Sequence, residues 1–213
     1  MARDEYDCWV FDLDGTLVDV ERSYVSEVFD EVGRRLGCGF DDAEYEAIWH
    51  DIGGVRGRVF EREGITETRF WEVFDAVADP ESRAQATYLF DDATAVADLE
   101  APTAIVTHCP DPVTDAVLDE LDIRDWFDAV VCCSPDLGMK PDPTPVHHAL
   151  ARMGVGPGRS GVLVGDSGHD VGAAWNAGLD GAHVERRDPH HRGYCVVGDH
   201  RVSRLTEFEA LGS

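Results

Sequence analysis

Short apolar runs that alternate with amphipathic stretches are the feature that most restricts how this chain can fold. The stretches at 112–121 and 144–152 have the apolar spacing of one helix face. The apolar runs between and around them are bounded by turn residues or charges, at positions 8–13, 103–107, 129–133, 162–165 and 182–185. Strands that alternate with helices form a parallel sheet wound in right-handed βαβ units. We therefore predict an α/β fold whose ligand site lies beyond the carboxyl ends of the strands.

Residues 20–85 interrupt this alternation. The segment contains no convincing strand, and its apolar residues follow a helical pattern. Its aromatic residues form a stripe made of Tyr24, Phe29, Phe40, Tyr45, Trp49, Phe60, Phe70, Trp71 and Phe74. Such a stripe favours the core of a small helical bundle over a binding surface. We predict a Rossmann-like core formed by residues 1–19 and 86–213, with a helical cap inserted at 20–85.

Acidic residues far outnumber basic ones, and this imbalance excludes some partners. The chain has 43 Asp and Glu against 18 Lys and Arg, a formal net charge of −25. Nucleic acids and anionic membranes need a basic footprint, so neither is expected to bind. All the basic residues except Lys140 are Arg. An acidic surface almost free of Lys resembles the proteins of halophilic archaea. The charges of such a surface repel one another in dilute buffer, and molar salt screens this repulsion because it shortens the Debye length to about 3 Å. The same charge favours a monomer or a weak homodimer.

Neither the apolar runs nor the cysteines indicate export or a membrane anchor. No run approaches the 18 or more apolar residues of a spanning helix, and the N-terminus lacks the apolar region of a signal peptide. The 6 Cys show no C-x-x-C pair or metal-ligand spacing, and we expect them to be small buried hydrophobic residues. A cytoplasmic location is therefore expected.

Four short motifs follow predicted strands, and together they carry the chemistry. They are FDLDGTL at 11–17, AIVT at 104–107, GMKPDP at 138–143 and VLVGDSGHD at 162–170. An Asp-x-Asp pair alone means little in a chain this rich in Asp. In this order, however, the motifs resemble the four motifs of the haloacid dehalogenase (HAD) superfamily, and the single Lys falls where the third motif has one. The inserted segment is similar in position and size to the cap of phosphoglycolate-phosphatase-like members.

The resemblance implies a role for each motif residue. Asp12 would be the nucleophile that forms a phosphoaspartyl intermediate, and Asp14 would be the general acid and base. Two residues apart on an extended segment, their side chains should project to one side. Thr16 would supply a hydroxyl group to the substrate. Thr107 and Lys140 would donate hydrogen bonds to the phosphoryl oxygens, as oxyanion stabilisers do.

Several carboxylates around a phosphate repel it unless a cation is present. Mg²⁺ is the expected cofactor, since it prefers oxygen ligands and is held by one or two carboxylates together with phosphate. The resemblance assigns Asp12 and Asp166 as side-chain ligands and the carbonyl of Asp14 as a backbone ligand. Asp170 has two possible roles, which are holding a metal-bound water and orienting Lys140.

The substrate is expected to be a small phosphorylated metabolite, and the sequence does not identify which one. Arg56 is a candidate for contacting a substrate anion, with an exposed position on a glycine-rich turn as the alternative. The backbone amide of His108 is expected to face the phosphate. Residues 186–201 form a locally basic, His-rich loop to which the sequence assigns no role.

A Mg²⁺-dependent phosphomonoester hydrolase is the predicted activity, and several alternatives were weighed. A dehalogenase does not need the second motif-one carboxylate, so the presence of Asp14 disfavours it. A phosphonoacetaldehyde hydrolase needs a Lys in the cap, and residues 20–85 contain none. A sugar phosphomutase of the β-phosphoglucomutase kind keeps all four motifs and stays open. A non-catalytic relative is disfavoured because every motif residue is intact.

Overall fold

The central sheet carries the site, and its strands lie close to the predicted positions. The computed structural model describes residues 6–50, 55–187 and 195–210. The strands of the sheet are β1 (Cys8–Phe11), β4 (Thr103–Thr107), β5 (Ala129–Cys132), β6 (Gly161–Gly165), β7 (Asp180–Val184) and β8 (His200–Val202). Within the described residues these six strands are all parallel, in the order β5-β4-β1-β6-β7-β8. The predicted α/β fold with a parallel sheet is confirmed.

Helices cover both faces of the sheet. The helices that follow its strands are α6 (Asp111–Glu120), α7 (Thr144–Arg152), α8 (Gly168–Ala177) and α9 (Glu207–Ala210), and two short 3₁₀ helices lie at Ala93–Asp98 and Arg124–Trp126. Side chains alternate along β1, so Trp9 and Phe11 pack with α6 while Val10 packs with α7 and α8. Both faces are therefore apolar and buried, as expected for a parallel sheet.

The first motif leaves the sheet earlier than predicted. Strand β1 ends at Phe11, whereas the apolar run predicted a strand to residue 13. The amide of Leu17 donates to the carbonyl of Leu13 at 2.9 Å, and the amide of Gly15 donates to the carbonyl of Val18 at 2.8 Å. These bonds close a turn directly after Asp12. The predicted extended segment is therefore a turn, and the two motif carboxylates take different partners.

A two-stranded ribbon lies on either side of a group of helices. The ribbon consists of β2 (Val18–Val20) and β3 (Thr87–Leu89), which are antiparallel. Between these strands the structure describes α1 (Arg22–Leu36), α2 (Asp42–Trp49), α3 (Val55–Glu63), α4 (Glu67–Asp75) and α5 (Pro80–Gln85). Helices α1 to α4 share an apolar cluster that contains all nine aromatic residues of the predicted stripe, whereas Ala84 of α5 packs with the core of the sheet. The prediction that the stripe forms the core of a bundle is confirmed.

The segment at 186–201 is not wholly a loop, as the sequence predicted it to be. Residues 200 and 201 belong to β8, where His200 pairs with Ala182 and Arg201 pairs with His183 of β7. Residues 188–194 lie outside the described part of the chain. None of the described helices is both long enough and apolar enough to cross a lipid bilayer.

Candidate active site

The motif residues meet at the carboxyl edge of the sheet. Asp12 and Asp166 follow the neighbouring strands β1 and β6, and Thr107 ends β4 on the other side of β1. The amide of Asp12 donates to the carbonyl of Val164 at 2.9 Å, which fixes its backbone against β6. Lys140 reaches the same edge from the loop after β5. The order β5-β4-β1-β6 thus places residues from four distant parts of the sequence together.

Lys140 is the centre of the charge network. Its ammonium group is almost fully enclosed, with 4% of the residue exposed. Its Nζ lies 2.7 Å from Oδ1 of Asp12, 2.6 Å from Oδ1 of Asp170 and 2.9 Å from the carbonyl oxygen of Val106. Burial alone would lower the pKa of Lys140, but the two carboxylates raise it above its usual value. The lysine is therefore a permanent positive charge.

Asp170 is positioned by the start of helix α8. The backbone amide and the hydroxyl group of Ser167 donate to Oδ2 of Asp170 at 3.1 and 2.5 Å, which is the geometry of a helix-capping pair. The other carboxylate oxygen faces Lys140. Burial opposes the charge of Asp170, but Lys140 and Ser167 outweigh it and lower its pKa. Asp170 therefore orients Lys140, which is one of the two roles that the sequence left open.

Asp166 is held by an arginine that the sequence analysis did not identify. Nη1 of Arg187 donates to Oδ2 of Asp166 at 2.9 Å, and Nε2 of His183 donates to its backbone carbonyl at 3.0 Å. Gly15 makes room for this carboxylate. Its φ is +77°, and a Cβ atom there would lie 2.4 Å from Oδ2 of Asp166. The first motif thus needs its glycine for the turn and for the close approach of the fourth motif.

Three carboxylates of this site are close enough to share a cation. Oxygen atoms of Asp12, Asp166 and Asp170 lie within 4.8 Å of one another. Burial raises the pKa of Asp12 well above its usual value, against the lowering effect of Lys140. Burial also raises the pKa of Asp166 to about 6, although Arg187 lowers it. Both shifts arise mainly because burial disfavours the charged form of a carboxyl group. An all-oxygen, carboxylate-rich set of this kind fits Mg²⁺.

Asp14 faces away from this cluster and is held from the helical segment. Its Oδ1 accepts a hydrogen bond from Nη2 of Arg83, in the last turn of α5. The side chain of Arg83 is 4% exposed, whereas that of Asp14 is 34% exposed. Asp12 and Asp14 therefore lie in different surroundings. Asp12 is buried beside Lys140, whereas Asp14 reaches solvent beside Arg83.

The structure buries Thr16 inside the motif turn. The residue is fully buried, and its Oγ1 has no hydrogen-bond partner among the described residues. Its carbonyl accepts hydrogen bonds from Nη2 of Arg186 at 2.7 Å and from Nε at 3.2 Å. Arg186 is bound in turn by both carboxylate oxygens of Asp92, at 2.8 and 2.9 Å. In this arrangement Thr16 supports the motif turn through its backbone.

Thr107 and the two residues after it form the wall opposite Asp166. The hydroxyl oxygen of Thr107 accepts a hydrogen bond from the amide of Cys109 at 3.0 Å, which leaves the hydroxyl proton available to another acceptor. Burial and the nearby charge of Lys140 lower the pKa of His108 to about 4, so its imidazole is neutral near pH 7. Burial raises the pKa of the Cys109 thiol, so Cys109 is not a thiolate nucleophile.

Arg56 is engaged within the helical segment. Its Nε lies 3.3 Å from Oε1 of Glu67, and its guanidinium lies 5.7 Å from the ring centroid of Trp71. The structure begins helix α3 at Val55, so Arg56 lies in its first turn and not on a glycine-rich turn. The charge of Arg56 also contributes to lowering the pKa of His108, so Arg56 lies near the site.

The sequence analysis missed the arginines that hold the site. Arg83, Arg186 and Arg187 bind carboxylates or carbonyls that lie 21 to 170 residues away in the sequence. No local pattern links such pairs. The only available signal was the concentration of basic residues at the start of the 186–201 segment, which directly follows a predicted strand.

A comparison with known protein families identifies the family that has this arrangement of residues. Residues 6–178 match the haloacid dehalogenase-like hydrolase family. The chain belongs to that family. The resemblance carried by the four motifs is thus confirmed, and the predicted enzyme is confirmed as a hydrolase.

Several curated HAD relatives are named for phosphoryl chemistry. A phosphoglycolate phosphatase from Photorhabdus laumondii is 29% identical over 180 residues, which cover 79% of this chain and 75% of that protein. Tyrosine-protein kinase PtkA from Mycobacterium tuberculosis is 29% identical over 176 residues, 80% of this chain and 59% of the kinase. The phosphoglycolate phosphatase of Escherichia coli is 36% identical over 77 residues, which are 36% of this chain and 30% of that enzyme.

Solved HAD structures share the whole architecture. A crystal structure of an HAD phosphatase from Thermococcus onnurineus superposes with a TM-score of 0.70 at 25% identity and covers 97% of both chains. A crystal structure from Lactobacillus plantarum gives a TM-score of 0.77 at 22% identity, covering 99% of this chain and all of the other. The parallel sheet with inserted helices is therefore an HAD fold, and the phosphatases among the relatives support the predicted activity.

Proposed function

We propose that the chain is a Mg²⁺-dependent phosphomonoester hydrolase that acts on a small phosphorylated metabolite through a phosphoaspartyl intermediate on Asp12. The observation that supports this most strongly is the environment of Asp12. Its carboxylate lies at the carboxyl edge of the sheet, 2.7 Å from a buried ammonium and next to two further carboxylates. A nucleophile fixed in this way can attack phosphorus in line, while the cations around it neutralise the phosphoryl oxygens.

Each residue has a distinct part in the proposed reaction. Asp12 attacks phosphorus, and Lys140 and the hydroxyl group of Thr107 donate to the non-bridging oxygens, together with the amide of His108. Asp14 protonates the leaving oxygen. It then takes a proton from the water that attacks the phosphoaspartyl group.

Asp12, Asp166 and Asp170, with the carbonyl of Asp14, are the proposed surroundings of Mg²⁺. The ion, when bound, supplies positive charge that offsets the repulsion between these carboxylates and an incoming phosphate. The protein's own task is to hold the carboxylates in place. Arg187 and the turn at Gly15 do this for Asp166, and Ser167 does it for Asp170.

The helical segment at 20–85 is proposed to act as a cap. It has its own apolar core and joins the sheet through the β2–β3 ribbon, which is the arrangement of a hinged lid. Closing such a lid excludes water and brings cap residues to the leaving group. The phosphoglycolate phosphatases among the relatives make phosphoglycolate the first metabolite to test.

The decisive test measures p-nitrophenyl phosphate turnover in molar KCl, with and without Mg²⁺. Wild type should require Mg²⁺, and Asp12→Asn should lose turnover. Asp92→Asn is the matched control, because it also removes the charge of a buried Asp bound to a basic residue, but at Arg186. Acid-quenched wild type incubated with ³²P-labelled substrate should carry a label that hydroxylamine removes, as an acyl phosphate does.

Absence of turnover in folded wild-type protein would contradict the proposal. Release of phosphate separates the hydrolase from a phosphomutase, which would instead return the phosphoryl group to a second hydroxyl of a sugar phosphate. A gel-filtration experiment at the same salt concentration would check the proposed monomer or weak homodimer.

A further inference from the structure

The proposed acid and base Asp14 is held differently from the other carboxylates of the site. Those carboxylates are bound by Lys140 and Arg187, which both belong to the sheet unit. Within the described residues, the basic partner of Asp14 is Arg83, and Arg83 belongs to the proposed cap. The group that must transfer a proton is thus held by an arginine of helix α5.

Arg83 is itself fixed from several sides. It is 3% exposed. Its Nη1 donates to the hydroxyl oxygen of Thr87, and that hydroxyl donates to the carbonyl of Arg83 at 2.7 Å. Its guanidinium lies 5.5 Å from the ring centroid of Trp49, at the end of α2. A buried guanidinium with these contacts has a single well-defined direction in which to present its remaining N–H groups.

The contacts of Arg83 lie on the ribbon and on helix α2. Thr87 is the first residue of β3 and pairs with Val20 of β2, so it belongs to the ribbon. Trp49 belongs to the cap helices. Helix α5, which carries Arg83, packs against α6 beside the sheet, so Arg83 is held next to the motif turn that carries Asp14.

We propose that Arg83 is a positioning residue that aims the carboxyl group of Asp14 at the leaving oxygen. This inference rests on the proposed hydrolase function. Arg83 binds Oδ1 of Asp14, which leaves Oδ2 to carry the proton. Among the described residues no second basic side chain takes over this task.

The step in which Arg83 matters is the formation of the phosphoenzyme. An oxygen of Asp12 forms a bond to phosphorus, and the bond between phosphorus and the leaving oxygen breaks. The electron pair of that bond stays on the leaving oxygen, which takes the proton of Asp14. A strongly basic leaving group needs this proton, whereas a weakly basic one departs without it. Loss of Arg83 should therefore lower kcat/KM most for substrates with strongly basic leaving groups.

The test uses a series of aryl phosphates of similar size: phenyl, p-nitrophenyl and 2,4-dinitrophenyl phosphate. The measured quantity is kcat/KM, which covers steps up to phosphoenzyme formation and excludes the later hydrolysis. In Arg83→Met, kcat/KM for phenyl phosphate should fall on the order of 100-fold, the scale of a lost proton transfer. The value for 2,4-dinitrophenyl phosphate should change little. Arg83→Lys, which keeps a charge but not the planar fork, should show a smaller change of the same direction.

Two comparisons separate positioning from a merely structural role. Arg186→Met removes another buried arginine from an ion pair with an aspartate, and it should lower kcat/KM for all three esters by one common factor. In a double-mutant cycle, Arg83→Met should add nothing for phenyl phosphate once Asp14→Asn is present. An equal loss across the series, or additive losses in the cycle, would overturn the inference alone. A wild type that hydrolyses none of the esters would overturn the proposed function as well.

Discussion

At the scale of single residues, Lys140 shows how tightly the site is determined. An ammonium group has three donors, and each donor of Lys140 has an acceptor within 2.9 Å. Two of these acceptors are the buried carboxylates of Asp12 and Asp170. A planar guanidinium could not reproduce three contacts that diverge from one nitrogen. This explains why a chain whose other basic residues are all Arg keeps a Lys here.

Lys140→Met should therefore be strongly destabilising in Mg²⁺-free buffer. Removing one partner of a buried ion pair leaves an uncompensated charge and costs about 3–5 kcal/mol. Arg124→Met is the control, because its pairs with Asp115 and Asp119 are exposed and worth about 0–1 kcal/mol. Urea unfolding of both variants measures the difference, and added Mg²⁺ should recover part of the Lys140→Met loss. Equal losses would show that the buried ion pairs of Lys140 stabilise the fold no more than the exposed pairs of Arg124 do.

Gly15→Ala should weaken Mg²⁺ binding as well as stability. Gly37 provides the matched control, since its φ of +73° is similar but a Cβ there meets nothing within 4 Å. Gly37→Ala should lose only the cost of a left-handed conformation, about 1–2 kcal/mol. Gly15→Ala has this cost and must also displace the carboxylate of Asp166. Titration calorimetry should show Mg²⁺ affinity reduced roughly 10–100-fold in Gly15→Ala and unchanged in Gly37→Ala.

The sequence predicted the motif residues of the site better than the residues that hold them in place. The order of the motifs at strand ends was enough to bring Asp12, Lys140 and Asp166 together. Arg83 and Arg187 were not foreseen, because their partners are defined only by the assembled fold.

At the scale of elements, the end of helix α2 is joined to the sheet edge near the clustered carboxylates of Asp12, Asp166 and Asp170. Nη2 of Arg187 lies 3.0 Å from Nε2 of His50, and Nη1 of the same arginine binds Asp166. A cavity of about 270 Å³ adjoins this contact and is lined by Trp49 and Tyr88 among others. The α2 end and the fourth motif therefore share one guanidinium.

His50→Gln should reduce the loss of stability on mild acidification. Burial lowers the pKa of His50, against a raising effect of Glu46, and Arg187 lowers it further. As pH falls below about 6.5, the unfolded state takes up a proton that the folded state resists, so the free energy of unfolding decreases. Urea unfolding between pH 7 and pH 5 should show a shallower decrease in His50→Gln. The exposed His147→Gln should keep the wild-type slope, and an identical slope in all three proteins would contradict the assignment.

The length of each strand determined whether the sequence predicted it. The five strands predicted from apolar runs are all present, because a buried parallel strand is a continuous apolar run. Strands β2, β3 and β8 have three residues each and are too short to show a period. β8 was further obscured by the charged residues His200 and Arg201, which lie on the last described strand of the sheet.

At the scale of the whole molecule, the net charge of −25 opposes folding at low salt. The free energy of unfolding should rise with KCl, because the Debye length shortens from about 10 Å at 0.1 M to about 3 Å at 1 M. A gain of about 2–3 kcal/mol would raise Tm by roughly 5–10 °C for a chain of this size.

A charge-reduced variant separates screening from other effects of salt. Glu100, Glu120 and Asp136 are exposed, and no ion pair is described for any of them. Changing all three to the corresponding amides should raise Tm at 0.1 M KCl and leave it nearly unchanged at 2 M. Calorimetry at both concentrations tests this, and equal shifts at both would contradict a screening mechanism.

The enclosed position of Lys140 also determines how the molecule responds to reagents. Acylating and aldehyde reagents attack neutral primary amines, and the single ε-amine of this chain is enclosed and held in its charged form by two carboxylates. Apart from the α-amino group, the chain has no other primary amine for such reagents to modify. Amine-directed cross-linking would therefore report no oligomer whether or not one exists, and the association state has to be measured by sedimentation or light scattering.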